Sequence, residues 1–189
     1  MHDLPEANHV VDEEGRPEPP SNANESETLL GFLDFLRATF EWKTRGLSTQ
    51  QLHQQMDHAS TMTLGGMMKH LAIVEDLWFT TVAAQDAWPQ VWDEINADYG
   101  GEWEWASAAH DSADELSALW RGSVDRSRGV VSRPLSHDSA QALATTHPAW
   151  EGQPDVSLRW ILTHMVEEYG RHSGHADLLR EAIDGQTGE

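Results

Sequence analysis

The sequence predicts an all-α protein, a four-helix bundle with long connecting loops. Four segments carry apolar residues at a period near 3.6, and no run alternates β-branched and polar residues in the manner of a strand. Two stretches rich in Trp, Pro and Gly, residues 86–110 and 135–155, separate the helical segments as connections. A chain of 189 residues holds about one domain with a well-buried core. No internal repeat points to a solenoid.

The first helix is expected to start at Ser26 as its N-cap and to present Leu29, Leu30, Phe32, Leu33, Leu36 and Phe40 before Gly46 stops it. A short helical turn follows at 48–54. The second helix is expected over 63–84, with Leu64, Met67, Met68, Leu71, Val74, Trp78, Phe79 and Val82 on one face. The third opens at Asp111 or Ser112, because Ser112 and Glu115 have the spacing of a capping box, and it fades before Pro134. The last helix runs from about Val156 to Asp184, with Gly185 as its stop.

Ahead of the first helix, residues 1–27 carry eight acidic side chains, one Arg and four of the eight prolines. That composition offers little apolar surface to offset ordering entropy, so residues 1–25 are expected to form an acidic, disordered or loosely draped N-terminal arm and 26–189 the bundle domain. The formal net charge is −20. Nucleic-acid affinity comes mostly from Lys and Arg neutralising phosphates, so neither nucleic acid nor an anionic membrane is expected as a partner. No signal-like start and no long apolar run occurs, and the chain reads as cytoplasmic. With no Cys there is no disulfide, no thiolate metal ligand and no cysteine nucleophile. A metal, if bound, must be held by His and carboxylates.

The last helix carries the strongest chemical signal. With Leu158 at 0° and ~100° per residue, Ile161, Met165, Ala176, Leu179 and Ile183 fall between ~300° and ~0°. The same steps put Glu168 near ~280° and His172 near ~320°, inside the apolar stripe, with His175 at its edge near ~260° and His164 on the flank near ~240°. A buried carboxylate needs a partner, and a cation shared with an imidazole four residues on is an economical one. That spacing stacks two side chains on one helix face, as interior metal sites of bundles require. On the second helix His70 falls at the margin of the stripe, where it can reach such a site, and Glu75 points toward the core. Two imidazoles and a carboxylate suit Zn²⁺ and equally Fe²⁺ or Ni²⁺, with zinc the first expectation. The plainer alternatives are a core histidine bonded to a carbonyl, a Glu168 paired with an Arg, and a Glu75 that either orients a ligand imidazole or anchors an Arg. The Trp residues are expected chiefly to pack core and loops. Arg171 or Arg180 would be the source of positive charge for an anionic substrate. No residue stands out as the general acid or base.

The run Thr63-Leu64-Gly65-Gly66-Met67-Met68-Lys69-His70-Leu71-Ala72-Ile73-Val74-Glu75-Asp76-Leu77-Trp78-Phe79 resembles the second helix of the DinB-like superfamily. The run from His164 to Glu181, with Glu168-Tyr169-Gly170-Arg171-His172-Ser173-Gly174-His175 at its centre, is similar to the last helix of a largely actinobacterial branch whose reactions are not assigned; Trp42-Lys43 and Gly46-Leu47-Ser48 are similar as well. The resemblance spans about residues 26–189. It implies a divalent metal on His70, Glu168 and His172; His175, Glu75 and His164 are candidates to flank it from their helix positions alone. Glu at position 168 is similar to the mycothiol-dependent maleylpyruvate isomerase branch; many other members of the superfamily have His at that position. It further implies a small-molecule substrate, a low-molecular-weight thiol cosubstrate such as mycothiol, an S-transfer or isomerisation reaction, and a homodimer. The alternative from the same resemblance is a non-catalytic stress-response protein that binds a metal or a small ligand.

Overall fold

Helix α1 spans Glu25–Thr44, and the computed structural model describes residues 11–56, 60–92 and 103–188. The cap of α1 is Asn24 rather than Ser26. The Asn24 side chain accepts from the Glu27 amide at 3.0 Å and the Glu27 carboxylate accepts from the Asn24 amide at 3.2 Å, a reciprocal box that Ser26 does not offer. Ser26 is instead buried in the first turn and donates to Asn24. Gly46, at φ +78°, turns the chain out of α1 in the left-handed region that L side chains avoid. Helix α2, Thr49–Leu52, follows with Ser48 and Gln51 in a second capping box.

Helix α3, Leu64–Glu75, is capped by Thr63 and runs without a break into a π-helical segment, Asp76–Ala83. The single 3.6 period expected over 63–84 therefore holds only as far as Glu75. Every residue of α3 except His70 is buried, because α5, α4 and α7 cover it on separate sides. A 3-10 turn at Gln90–Trp92 and helix α4, Trp103–Ala108, occupy the described part of the aromatic-rich connection. Its Tyr99, Gly100 and Gly101 lie outside the described residues.

Helix α5, Ala113–His137, opens on the expected Ser112 and Glu115 box, but it continues through Pro134 instead of fading before it. Pro134 removes one amide donor, while Val131 stays buried and Leu135 packs on the core, so apolar contact carries the helix one turn further. The next connection holds α6, Ser139–Ala144, and a two-residue hairpin of β1, Thr146–His147, against β2, Val156–Ser157. No strand was expected there. Helix α7, Leu158–Asp184, starts from a Ser157 cap and ends at Gly185, φ +81°. Helix α1 packs along α7, and α3 packs along α5 and against α7. The expected all-α, bundle-like fold with long connections is the one observed.

Two buried polar networks tie the helices together. Arg37 of α1 makes paired 2.7 Å bonds to Glu75, whose Oε1 also accepts from the Tyr169 hydroxyl at 2.8 Å, and Trp120 Nε1 donates to that hydroxyl at 2.9 Å. Next along the chain Asp76, fully buried, accepts from Arg126, Ser123 and Trp92. At the far end of α1, Lys43 is buried against Asp177 at 2.7 Å.

The expectation of a loose arm falls partly on residues 1–10, outside the described residues. From residue 11 onward the arm is held. Arg16 is 8 % exposed, donates to Thr39, and lies over the rings of Phe35 and Trp42, while Asp12 pairs with it across a tight turn. One guanidinium anchors this acidic stretch, which composition alone treats as too polar to pack. Among the described residues no helix is long and apolar enough to cross a membrane.

Candidate metal centre

His70, Glu168 and His172 come together where α3 faces α7. Ligand-capable atoms of the three all lie within 4.8 Å of one another. His70 Nε2 stands 3.6 Å and His172 Nε2 3.5 Å from the same oxygen, Glu168 Oε2. Ligands ~2.1 Å from a tetrahedral cation stand ~3.4 Å apart, so these separations fit a divalent metal held by two imidazoles and one carboxylate. The i, i+4 placement of Glu168 and His172 on α7 stacks carboxylate and imidazole one turn apart on the same helix face, within reach of each other. His70 reaches them because it is the one residue of α3 turned to the open side.

The flanking groups fix ring orientation. His70 Nδ1 contacts Glu104 Oε1 at 2.9 Å, which leaves Nε2 directed into the site. Trp105 stacks on the His70 ring, centroids 5.6 Å apart and planes at 19°. The His172 and His70 rings meet edge to face at 4.7 Å. His175 Nδ1 lies 3.5 Å from His172 Nδ1, behind the face that His172 turns to Glu168. His164 Nε2 lies 3.6 Å from the other carboxylate oxygen, Glu168 Oε1, and His164 Nδ1 lies 3.5 Å from Glu167.

The electrostatics are those of a site built for positive charge. Burial works against a charged His70, but hydrogen bonds to Glu104 and Glu168 outweigh it and push its pKa up to about 9. Hydrogen bonds from His172 and His70 hold the Glu168 carboxyl well below the usual range although burial opposes this. The His175 pKa is lowered by burial and by the neighbouring His172 and Arg171. A proton on His70 and a metal cation answer the same pair of carboxylates.

Of the six residues singled out in the sequence, five meet here: His70, Glu168 and His172 at the centre, His164 and His175 on either side. Glu75 does not. Its carboxylate is used by Arg37 and Tyr169, so it anchors an Arg and orients no imidazole of this cluster. Arg171 and Arg180 are both paired away from His70, Glu168 and His172, although the Arg171 charge is felt at His175. Arg171 pairs with Glu167 on the surface, and Arg180 pairs with Asp184 and donates to the carbonyls of Lys43 and Arg45 at the end of α1. Sequence reasoning missed Glu104 and Trp105. Their signal is the Trp103-Glu104-Trp105 triplet inside the aromatic stretch, a carboxylate between two rings that read only as loop packing.

Residues 28–185 match the family model described as mycothiol-S-transferase. Among solved structures, the chain is similar to a conserved protein from Enterococcus faecalis, with a TM-score of 0.66 and 19% identity over 87% of this chain and 100% of that one. At that identity the likeness is one of fold. No curated protein matches the chain.

Proposed function

The chain belongs to the mycothiol-S-transferase family, and from that premise we propose that it is a divalent-metal-dependent enzyme that activates a low-molecular-weight thiol of the mycothiol type for S-transfer. The observation that carries the reading is the convergence of His70, Glu168 and His172 within 4.8 Å, two imidazoles and a carboxylate from facing helices. These three would hold the metal, with zinc preferred over nickel or iron. Bound there, a divalent cation supplies Lewis acidity that lowers a thiol's pKa and makes thiolate available at neutral pH.

The remaining steps fall to the protein. Glu104 fixes the His70 tautomer so that Nε2 faces inward, and His175 stands in the same relation to His172. Trp105 covers the His70 ring and shields that side of the site from water. The absence of Cys means that the nucleophilic sulfur is delivered by the cosubstrate and does not compete with a protein thiol.

Metal analysis of the purified protein tests the reading. One equivalent of divalent metal per chain is expected, with loss of that metal in His172→Ala and consumption of mycothiol in the presence of an electrophile. Wild-type protein that stays metal-free after incubation with excess Zn²⁺, Ni²⁺ and Fe²⁺ overturns it. A metal-loaded protein that consumes no thiol with a panel of electrophiles would instead be a binding protein.

A further inference from the structure

A cavity of about 620 Å³ opens beside the cluster, between the π-helical segment, the β1–β2 connection and the first turns of α7. Its wall is three indoles, Trp78, Trp150 and Trp160, and at one side it reaches His164. Trp78 meets Trp150 at 5.5 Å and 50°, and Trp160 at 5.0 Å and 59°. The His164 ring stacks on Trp160 at 4.9 Å and turns its edge to Trp78 at 5.1 Å. His164 and Glu168 form the partition: Glu168 Oε1 faces His164, and Glu168 Oε2 faces the two metal-site imidazoles. A ligand in the cavity is therefore separated from the proposed metal position by His164 and Glu168.

We propose that this cavity binds an uncharged aromatic electrophile: the thiol gives its proton to solvent, its sulfur bonds to a ring carbon, and a leaving group such as chloride departs with the electron pair of the broken carbon–halogen bond; the assignment of a transfer partner rests on the proposed function. Size, shape and charge support it. The volume lies within the range of small-molecule sites. Trp150 and Trp160 remain 51 % and 45 % exposed, unusual for rings held in a packed cluster, and a flat ligand laid on them would cover both. Tilted indoles offer faces and edges to which a further ring adds in offset or edge-on contact. The rings touch one another at 5.0–5.5 Å and leave no gap between their faces for an ammonium group, as an aromatic cage would. Among the described residues that line the cavity the one acidic side chain is Asp155 and none is Lys or Arg, so an anion is disfavoured.

The test uses three single-ring compounds on the full-length protein, nitrobenzene, benzoate and phenyltrimethylammonium, with affinities read by ligand-observed NMR. Nitrobenzene is expected to bind most tightly of the three. Trp150→Ala should raise its dissociation constant at least fivefold while metal content stays at the wild-type value, and Trp150→Phe should restore most of the binding. His172→Ala, stripped of metal, should still bind nitrobenzene. With mycothiol and 1-chloro-2,4-dinitrobenzene, nitrobenzene should inhibit competitively against the aromatic electrophile. Equal binding by wild type and Trp150→Ala overturns the proposal, as does tighter binding of either charged compound or noncompetitive inhibition. Sedimentation in which Trp150→Ala turns a dimer into a monomer also overturns it, because the indoles would then be an interface between copies. A metal-free wild type that binds nitrobenzene at Trp150 would sink the metal reading and leave the cavity's aromatic preference standing.

Discussion

Glu75→Ala should be among the most damaging single substitutions in the protein, although Glu75 lies outside the cluster of His70, Glu168 and His172. The carboxylate is fully buried and holds Arg37, itself 2 % exposed, through two 2.7 Å bonds. Burial opposes the Arg37 charge, yet the facing Glu75 outweighs it and keeps the guanidinium firmly protonated. Removing Glu75 leaves this buried cation only a longer 3.3 Å contact with the half-exposed Asp34, so the cost approaches that of breaking a buried pair, about 3–5 kcal/mol. The Tyr169 hydroxyl loses its acceptor at the same time, for about 1 kcal/mol more. A chain of this size loses about 2–4 °C per kcal/mol, so the total corresponds to a fall in Tm of roughly 8–24 °C. The assay is guanidinium unfolding followed by far-ultraviolet circular dichroism, with the dependence on denaturant unchanged and the midpoint lowered. The double variant Arg37→Met with Glu75→Leu should recover most of the loss, since a buried pair replaced by apolar side chains is often neutral. A Glu75→Ala protein within about 1 kcal/mol of wild type would refute the reasoning, and so would a double variant no better than the single one.

Three further outcomes follow from the same geometry. Burial opposes the Asp76 charge, but bonds from Arg126, Trp92 and Ser123 hold its carboxyl below the usual range; its stabilisation is thus present above pH ~4 and lost as pH falls through the lowered folded value. Asp76→Asn should lower stability at pH 7 and flatten the acid side of the stability profile, checked by denaturant midpoints from pH 7 to 3. Gly66→Ala, which gains about 1 kcal/mol in an ordinary helix, should destabilise here, because its Cβ would stand 2.4 Å from the Trp105 ring; a raised midpoint would contradict the packing described. Pro134→Ala restores a helical amide donor inside α5 and should stabilise by about 1–2 kcal/mol after the unfolded-state entropy is counted, as read from thermal unfolding.

The long helices were legible because each advertises itself twice, by periodicity and by an end signal. Ser112 with Glu115, and Gly185 after Asp184, are examples where both agree with the structure. At the start of α1 the sequence points to Ser26 as the cap, and the reciprocal bonds of Asn24 and Glu27 move it two residues upstream. The π segment has no residue signature: an i to i+5 ladder uses the same amides, and Asp76 becomes an interior residue only because α5 lies over it. Glu168 and His172 could be read as a pair because they share one helix face. Glu104 could not, since its partnership with His70 depends on how a six-residue helix docks, and no local period encodes that. Arg16 shows the same limit, a single long side chain reversing what average composition implies.

The enclosure of α3 has a dynamic consequence. A helix buried on every side but one can expose its amides only when much of the molecule opens, so those of α3 should exchange with solvent at close to the global unfolding rate. Helix α4 buries Ala108 alone among its six residues, and it is held on α3 by the Lys69 bond to Ser107, by Glu104 against His70, and by the half-buried Trp105 against the His70 ring and Gly66. Its amides should exchange orders of magnitude sooner. The His70 ring is thus steadied on one side by a helix that should open readily, while the backbone that carries it should open only with the fold as a whole.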